Sequence, residues 1–207
     1  MKKVLLAIGI LIGSLLLSVG VFLGWALWIP SPMPEALAAM GSNDAVEVRI
    51  EPTLTFLPKS TKPTAGIVIY PGARVDPRSY APLGRRLAEA GYLAAIPSVR
   101  LNMAVFERDA AARVIAENPD IPTWIAAGHS LGGTMAARFA EANPALFRGV
   151  VFLGSYPLAA SQLKDSGLAV ISIYGTLDGV SEPREVRAAE LVLPANTVWV
   201  AIEGGNH

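Results

Sequence analysis

The chain of 207 residues balances 17 basic against 17 acidic side chains and shows no basic stripe, which argues against a nucleic-acid partner. It has no cysteine, so disulfides, thiolate metal sites, a cysteine nucleophile and a lipidated cysteine anchor are excluded. Beyond an apolar N-terminal segment, the remainder is the size of one compact domain.

After Met1-Lys2-Lys3, the run from Val4 to Ile29 carries no charge. At about 1.5 Å rise per residue it reaches about 39 Å, enough to cross a hydrocarbon core of about 30 Å with some tilt. Trp25 and Trp28 stand at its far end, where an aromatic belt lies. Lys2 and Lys3 favour a cytoplasmic N-terminus for residues 1–3 and place the chain beyond the apolar run on the outer side. A cleaved signal peptide competes, with Ala36-Leu37-Ala38 as its cleavage-like site. The apolar run exceeds a usual secretory core of about 7 to 15 residues, so the expectation is an uncleaved signal-anchor helix over residues 4–29. Pro30, Pro32 and Pro34 then make residues 30–45 a stiff linker into a domain of residues 46–207.

Within that domain, Val46, Val48 and Ile50 alternate with charged residues as in a half-buried strand. Pro52 interrupts the stretch 46–56, which reads as two edge strands. Gly66–Tyr70 is short and wholly apolar, as a central strand covered on both faces would be. Tyr80 to Ala90 places Leu83, Leu87 and Ala90 at helical spacing, and Gly91 caps it. Next come a strand over 92–96, a helix over 106–117, a strand over 124–127, a helix over 131–142 and a strand over 149–153. A strand over 168–174, a helix over 183–193 and a strand over 197–202 complete the order. This alternation predicts an α/β fold with a mostly parallel sheet and helices on both faces.

The chemistry concentrates in Gly128-His129-Ser130-Leu131-Gly132-Gly133, between a predicted strand and helix. A sharp strand-to-helix turn strains the serine backbone and holds its hydroxyl out, and flanking glycines let neighbouring segments approach. Ser130 is the candidate nucleophile, and the Leu131 N–H, at a helix N-terminus, one oxyanion donor. The second donor is expected from the loop Tyr70-Pro71-Gly72-Ala73-Arg74: the Ala73 N–H, with Arg74 as alternative. The chain has two histidines. His129, adjacent to the nucleophile, diverges from it and is expected to pack under the elbow. His207, on a glycine loop past the last strand, is the candidate base. Asp178, just past the penultimate strand, is the candidate partner that orients it. Asp76 and Asp165 fit less well. This chemistry calls for no cofactor and no metal.

The stretches Tyr70-Pro71-Gly72-Ala73-Arg74-Val75-Asp76-Pro77, Gly128 to Gly133, Ile173 to Gly179 and Ile202 to His207 resemble a family of small, lidless bacterial α/β-hydrolases with one N-terminal hydrophobic segment. The resemblance implies an α/β-hydrolase fold, a Ser130, Asp178, His207 triad, and residence in the bacterial cell membrane with the catalytic domain outside. Similar proteins continue past the histidine into a helix that packs on the sheet, so truncation after His207 is expected, with a base poorly oriented at a terminus. Only residues 154–167 separate two strands where a cap is commonly inserted, so no cap domain is expected. Ser98–Val105 and Ser155–Leu158 would wall an open, shallow site. The partner is then a small-molecule acyl substrate, and the activity that of a carboxylesterase on small accessible esters. Thioester or peptide hydrolysis, acyl transfer, or a non-catalytic tethered binding domain remain alternatives.

Overall fold

Apolar runs separated by amphipathic stretches fold as one eight-stranded sheet with helices packed on it. The computed structural model describes residues 1–207. In chain order the elements are α1 (Lys2–Leu27), α2 (Pro34–Ala38), β1 (Val46–Arg49), β2 (Leu54–Pro58), β3 (Gly66–Tyr70), α3 (Ala81–Glu89) and β4 (Leu93–Ile96). There follow α4 (Ala110–Glu117), β5 (Trp124–His129), α5 (Leu131–Ala142), β6 (Phe147–Leu153), β7 (Ala169–Gly175), α6 (Pro183–Ala188) and β8 (Val198–Ile202). The strand order is β1-β2-β4-β3-β5-β6-β7-β8. β2 is antiparallel to both β1 and β4, and every other pair is parallel. The carboxyl ends of the parallel strands therefore share one edge, where α/β folds carry their sites.

The two faces are covered unequally. On one, α4, α5 and the residues around Ala189 and Leu193 enclose a core that includes Val68, Tyr70, Val150, Phe152 and Val170. On the other, α3 packs over Phe56, Ile67, Ile69 and Ile96. Beyond β6 this second face is open: Ile171, Val198, Val200 and Ile202 are exposed. β3 and β4 are buried at every position, as their unbroken apolar character requires.

Several elements differ from the sequence reading, among them α6, which ends at Ala188 and passes into a 3₁₀ turn at Ala189–Leu191 where a helix over 183–193 is expected. Of the two strands expected at an edge within residues 46–56, only β1 lies there, because β2 pairs with β4 and becomes internal. The helix expected over 106–117 begins at Ala110, after a 3₁₀ turn at Ala104–Phe106. The buried Tyr70 hydroxyl explains the late start, accepting from the Ala111 N–H at 2.8 Å and donating to the Arg108 carbonyl at 2.7 Å. The contact face of α3 is made by Ala81, Gly84 and Ala88, while Leu83 and Leu87 flank it and Ala90 is exposed. Small residues win there because the helix lies directly on Phe56. Finally, residues 30–45 include α2 and are tied to the body, with the Arg85 guanidinium donating to the carbonyls of Ala39 and Gly41.

The closeness of α3 to the sheet yields a test. A Cβ on Gly84 would stand 2.5 Å from Cδ2 of the fully buried Phe56. At an open helical site Gly84→Ala would gain about 1 kcal/mol. Here it is expected to lose about 1–3 kcal/mol through overpacking. The urea midpoint measures this, and wild-type stability would mean that the contact does not set the helix spacing.

Candidate active site

β5 lies mid-sheet, and its chain turns into α5 without a connecting loop. The turn requires Ser130 at φ 52°, ψ −129°, a left-handed conformation costly for a residue with a Cβ. Glycines make it sterically feasible. A Cβ at Gly128 would lie 2.5 Å from the Gly132 carbon, and one at Gly132 would overlap the carbonyl oxygens of Tyr70 and Pro71. A Cβ at Gly133 would lie 2.6 Å from both the Gly128 oxygen and Ser155 Oγ. The strained turn is held from outside as well. The Ser130 N–H donates to the Leu153 carbonyl at 3.1 Å, and the buried Ser155 hydroxyl donates to the Ser130 carbonyl at 2.6 Å.

His207 Nδ1 lies 2.8 Å from Asp178 Oδ2 and 3.1 Å from Oδ1. The Asp178 side chain is fully buried and that of His207 is 21% exposed. An acceptor pair at Nδ1 assigns the proton to that nitrogen and leaves Nε2 unprotonated. Burial pushes the Asp178 carboxyl upward, but His207 and the backbone N–H groups of Val180 and Ser181 outweigh it and hold the pKa below the ordinary aspartate value. Gly154, at φ +50°, passes beside the pair, and a Cβ there would sit 3.2 Å from Asp178 Oδ2. The imidazole lies between Asp178 and the ring of His129, 4.7 Å away between centroids. The Asp178–His207 pair is thus formed, while the hydrogen bond from Ser130 Oγ to the imidazole is not. Apo sites often show this looseness.

His129 packs beneath the elbow as expected and has a partner that the sequence reading does not identify. Its Nδ1 lies 3.0 Å from the Tyr80 hydroxyl, which also accepts the Gly72 N–H at 2.9 Å. Tyr80 therefore donates to His129 and ties the loop after β3 to the elbow. Burial, then the charge of His207, push the His129 pKa down to about 4, against a smaller upward pull from Asp178. His129 is neutral at pH 7 and does not repel an imidazolium at His207. Burial raises the Tyr80 hydroxyl to about 12, so it keeps its proton.

On the loop after β3, the Arg74 N–H is already spent on the Asn102 carbonyl at 2.7 Å, with Arg74 at φ 58°. That excludes the alternative donor. The Ala73 N–H has no partner, and the Leu131 N–H, first in α5, has none in its own helix. Of the expected walls, Val99, Met103 and Ala104 turn into the core, whereas Val105 and Leu158 are exposed. Residues 154–167 form no cap: they run irregularly into a 3₁₀ turn at Leu163–Asp165. A cavity of about 450 Å³ lies between residues 30–36 and residues 74–82; Arg74 and Val75, just after Ala73, line it, and Ser130, Asp178 and His207 do not.

The model of the Alpha/beta hydrolase family matches residues 66–207, and the chain belongs to that family. No curated protein matches the sequence. Among solved structures, TT1662 from Thermus thermophilus superposes with a TM-score of 0.61 at 16% identity, over 78% of this chain and 90% of that one. At that identity the likeness speaks for the fold.

Two outcomes are expected from this geometry. Gly132→Ala should push the loop after β3 off the elbow, since two backbone oxygens occupy the space and cannot rotate away. Labelling of Ser130 by a fluorophosphonate should then slow by about 100-fold, the effect of roughly 1 Å of misplacement. Unchanged labelling would show that the loop can yield. His129 gives a pH signature. Its folded value of about 4 lies below an unfolded value near 6.5, so its contribution is complete above pH 6.5 and is lost as pH falls toward 4. The loss amounts to about 3 kcal/mol. His129→Asn should flatten the stability profile between those limits in denaturant titrations, and an unaltered profile would contradict a neutral His129.

Proposed function

We propose that this hydrolase is a serine carboxylesterase that cleaves small accessible acyl esters through a covalent acyl-enzyme. The observation that carries the reading is the buried Asp178 carboxylate on His207 Nδ1, on the same sheet edge as the strained Ser130 elbow. Ser130 Oγ attacks the ester carbonyl carbon while His207 Nε2 takes the hydroxyl proton. The oxygen that becomes negative is met by the N–H groups of Leu131 and Ala73. As the carbon–oxygen bond to the alcohol breaks, His207 returns the proton to the departing alcohol. Water then adds to the acyl-enzyme with His207 as base, releasing the acid and restoring Ser130. Asp178 holds the tautomer and stabilises the imidazolium. No step needs a metal or cofactor.

In the same proposal α1 anchors the enzyme. It is uncharged between its first residues and its end, with mean hydropathy 2.7, and none of that window is buried against the protein. Residues 4–29 would span the bilayer, residues 30–45 would lead out, and residues 46–207 would work on the extracytoplasmic side.

The test is labelling of the full chain by a fluorophosphonate, with hydrolysis of a short-chain p-nitrophenyl ester alongside. Ser130→Ala should abolish both, and Asp178→Asn should lower kcat by about 10⁴-fold by imposing the wrong tautomer. Absence of labelling at Ser130 in the folded wild-type protein overturns the reading.

A further inference from the structure

The C-terminal end of α1 is not free of the domain. The Arg74 guanidinium donates to the carbonyls of Trp25 and Trp28, both at 2.9 Å, and lies 4.4 Å over the Trp25 ring. Asn102 Nδ2 donates to the Ala26 carbonyl at 3.1 Å, and Ala26 is fully buried. These two residues belong to the loops after β3 and β4, on the sheet edge that carries Ser130, Asp178 and His207. The membrane helix therefore ends against the catalytic edge and not against the opposite one.

A second contact sets the depth. Phe106 meets Phe22 edge-on with ring centroids 6.4 Å apart. Phe22 lies about 9 Å before Trp28 along the axis at about 1.5 Å per residue. If α1 spans with Trp25 and Trp28 at the interface, the turn Ala104–Phe106 stands at or below the headgroup level. Its side chains suit that position, Val105 being 50% and Phe106 45% exposed. Across the mouth, Leu177 and Val180 bracket Asp178 at 70% and 66% exposure. An apolar rim on the edge to which an apolar helix is docked calls for a lipid surface.

We propose that the catalytic edge rests on the bilayer that α1 enters, and that Ser130 receives the acyl ester of a bilayer-resident amphiphile drawn from that surface. This deepens the esterase reading and rests on it. The cavity between Met33, Ala36, Val75 and Pro82 gives such a molecule room between the exit of α1 and the body, against Arg74 and Val75 of the loop that carries Ala73. The chemistry is unchanged: the ester bond breaks, water supplies the acid oxygen, and the alcohol half leaves with its proton.

The native chain has no cysteine, so single probes are clean. Val105→Cys, Val180→Cys and Leu191→Cys, each carrying an environment-sensitive fluorophore, are placed in full-length protein in phosphatidylcholine vesicles. The first two should shift to the blue and be quenched by phosphatidylcholine brominated on its acyl chains. The Leu191 probe, beyond α6 and toward the opposite sheet edge, should behave as in water. A Val105 probe indistinguishable from the Leu191 probe overturns the placement. For the substrate, p-nitrophenyl palmitate dispersed in the vesicles is compared with p-nitrophenyl butyrate in solution. Phe106→Asp should lower turnover of the vesicle-borne ester by about tenfold, as charge replaces an apolar bilayer contact, and leave the soluble ester unaltered. Equal effects on both, or on neither, overturn the lipid substrate alone. Loss of both activities in the wild type together with absent Ser130 labelling overturns the esterase beneath it, while the fluorophores still report the placement.

Discussion

Three backbone segments meet at van der Waals contact around residue 130, and the rest of the site depends on that meeting. Gly128 at the end of β5, Gly132 and Gly133 at the start of α5, and the Tyr70–Pro71 carbonyls leave no space for a side chain. A single Cβ at any of the three glycines would separate the elbow from the strand or from the loop after β3. The strain at Ser130, of order 1–3 kcal/mol for such a backbone, persists because β6 and Ser155 bind its amide and carbonyl. The conformation of Ser130 is thus a product of packing first and of side-chain chemistry second.

A line of polar contacts runs across this packed centre. The Gly72 amide donates to Tyr80, Tyr80 donates to His129, His129 faces the ring of His207, and His207 donates to Asp178. Each buried group in the line has a partner, which removes the desolvation cost that an orphan would incur. The arrangement also separates two histidines chemically. His129 gives up its charge to burial and accepts a hydrogen bond from a neutral phenol. His207 keeps Nε2 free because a carboxylate occupies its other nitrogen. Two imidazoles at 4.7 Å can coexist in this way only while one of them stays neutral.

Local chemistry is legible in the sequence, and long-range pairing is not. The elbow, the central strands and the cap at Gly91 each depend on residues within a few positions, so Gly128, Ser130 and Gly132 announce themselves. The same holds for α5, which begins and ends where its pattern does. Tyr80 meets His129 across 49 positions, and no periodicity encodes that distance. Ser155 reads as part of an apolar wall because only the fold brings its hydroxyl beneath Ser130. The face of α3 misleads for a related reason: apolar spacing singles out leucines, whereas a helix pressed on a sheet needs Ala81, Gly84 and Ala88 at the contact. Residues 30–45 read as a plain linker because the proline pattern cannot reveal that Arg85 lies within reach of the Ala39 carbonyl.

Arg74 joins the two halves of the molecule that the sequence presents as separate. Its N–H is fixed by Asn102, and its guanidinium is fixed by the last carbonyls of α1. Gly72 is fixed by Tyr80 on the other side, and the Val75 N–H bonds back to Gly72 at 3.2 Å. Within Gly72–Val75, every amide except that of Ala73 is thereby occupied. A helix shifted at its C-terminal end would pull on Arg74, and through it on the loop that presents the one free amide. Attachment of α1 and the shape of the loop after β3 are therefore a single mechanical problem in this chain, solved by one arginine in a left-handed turn.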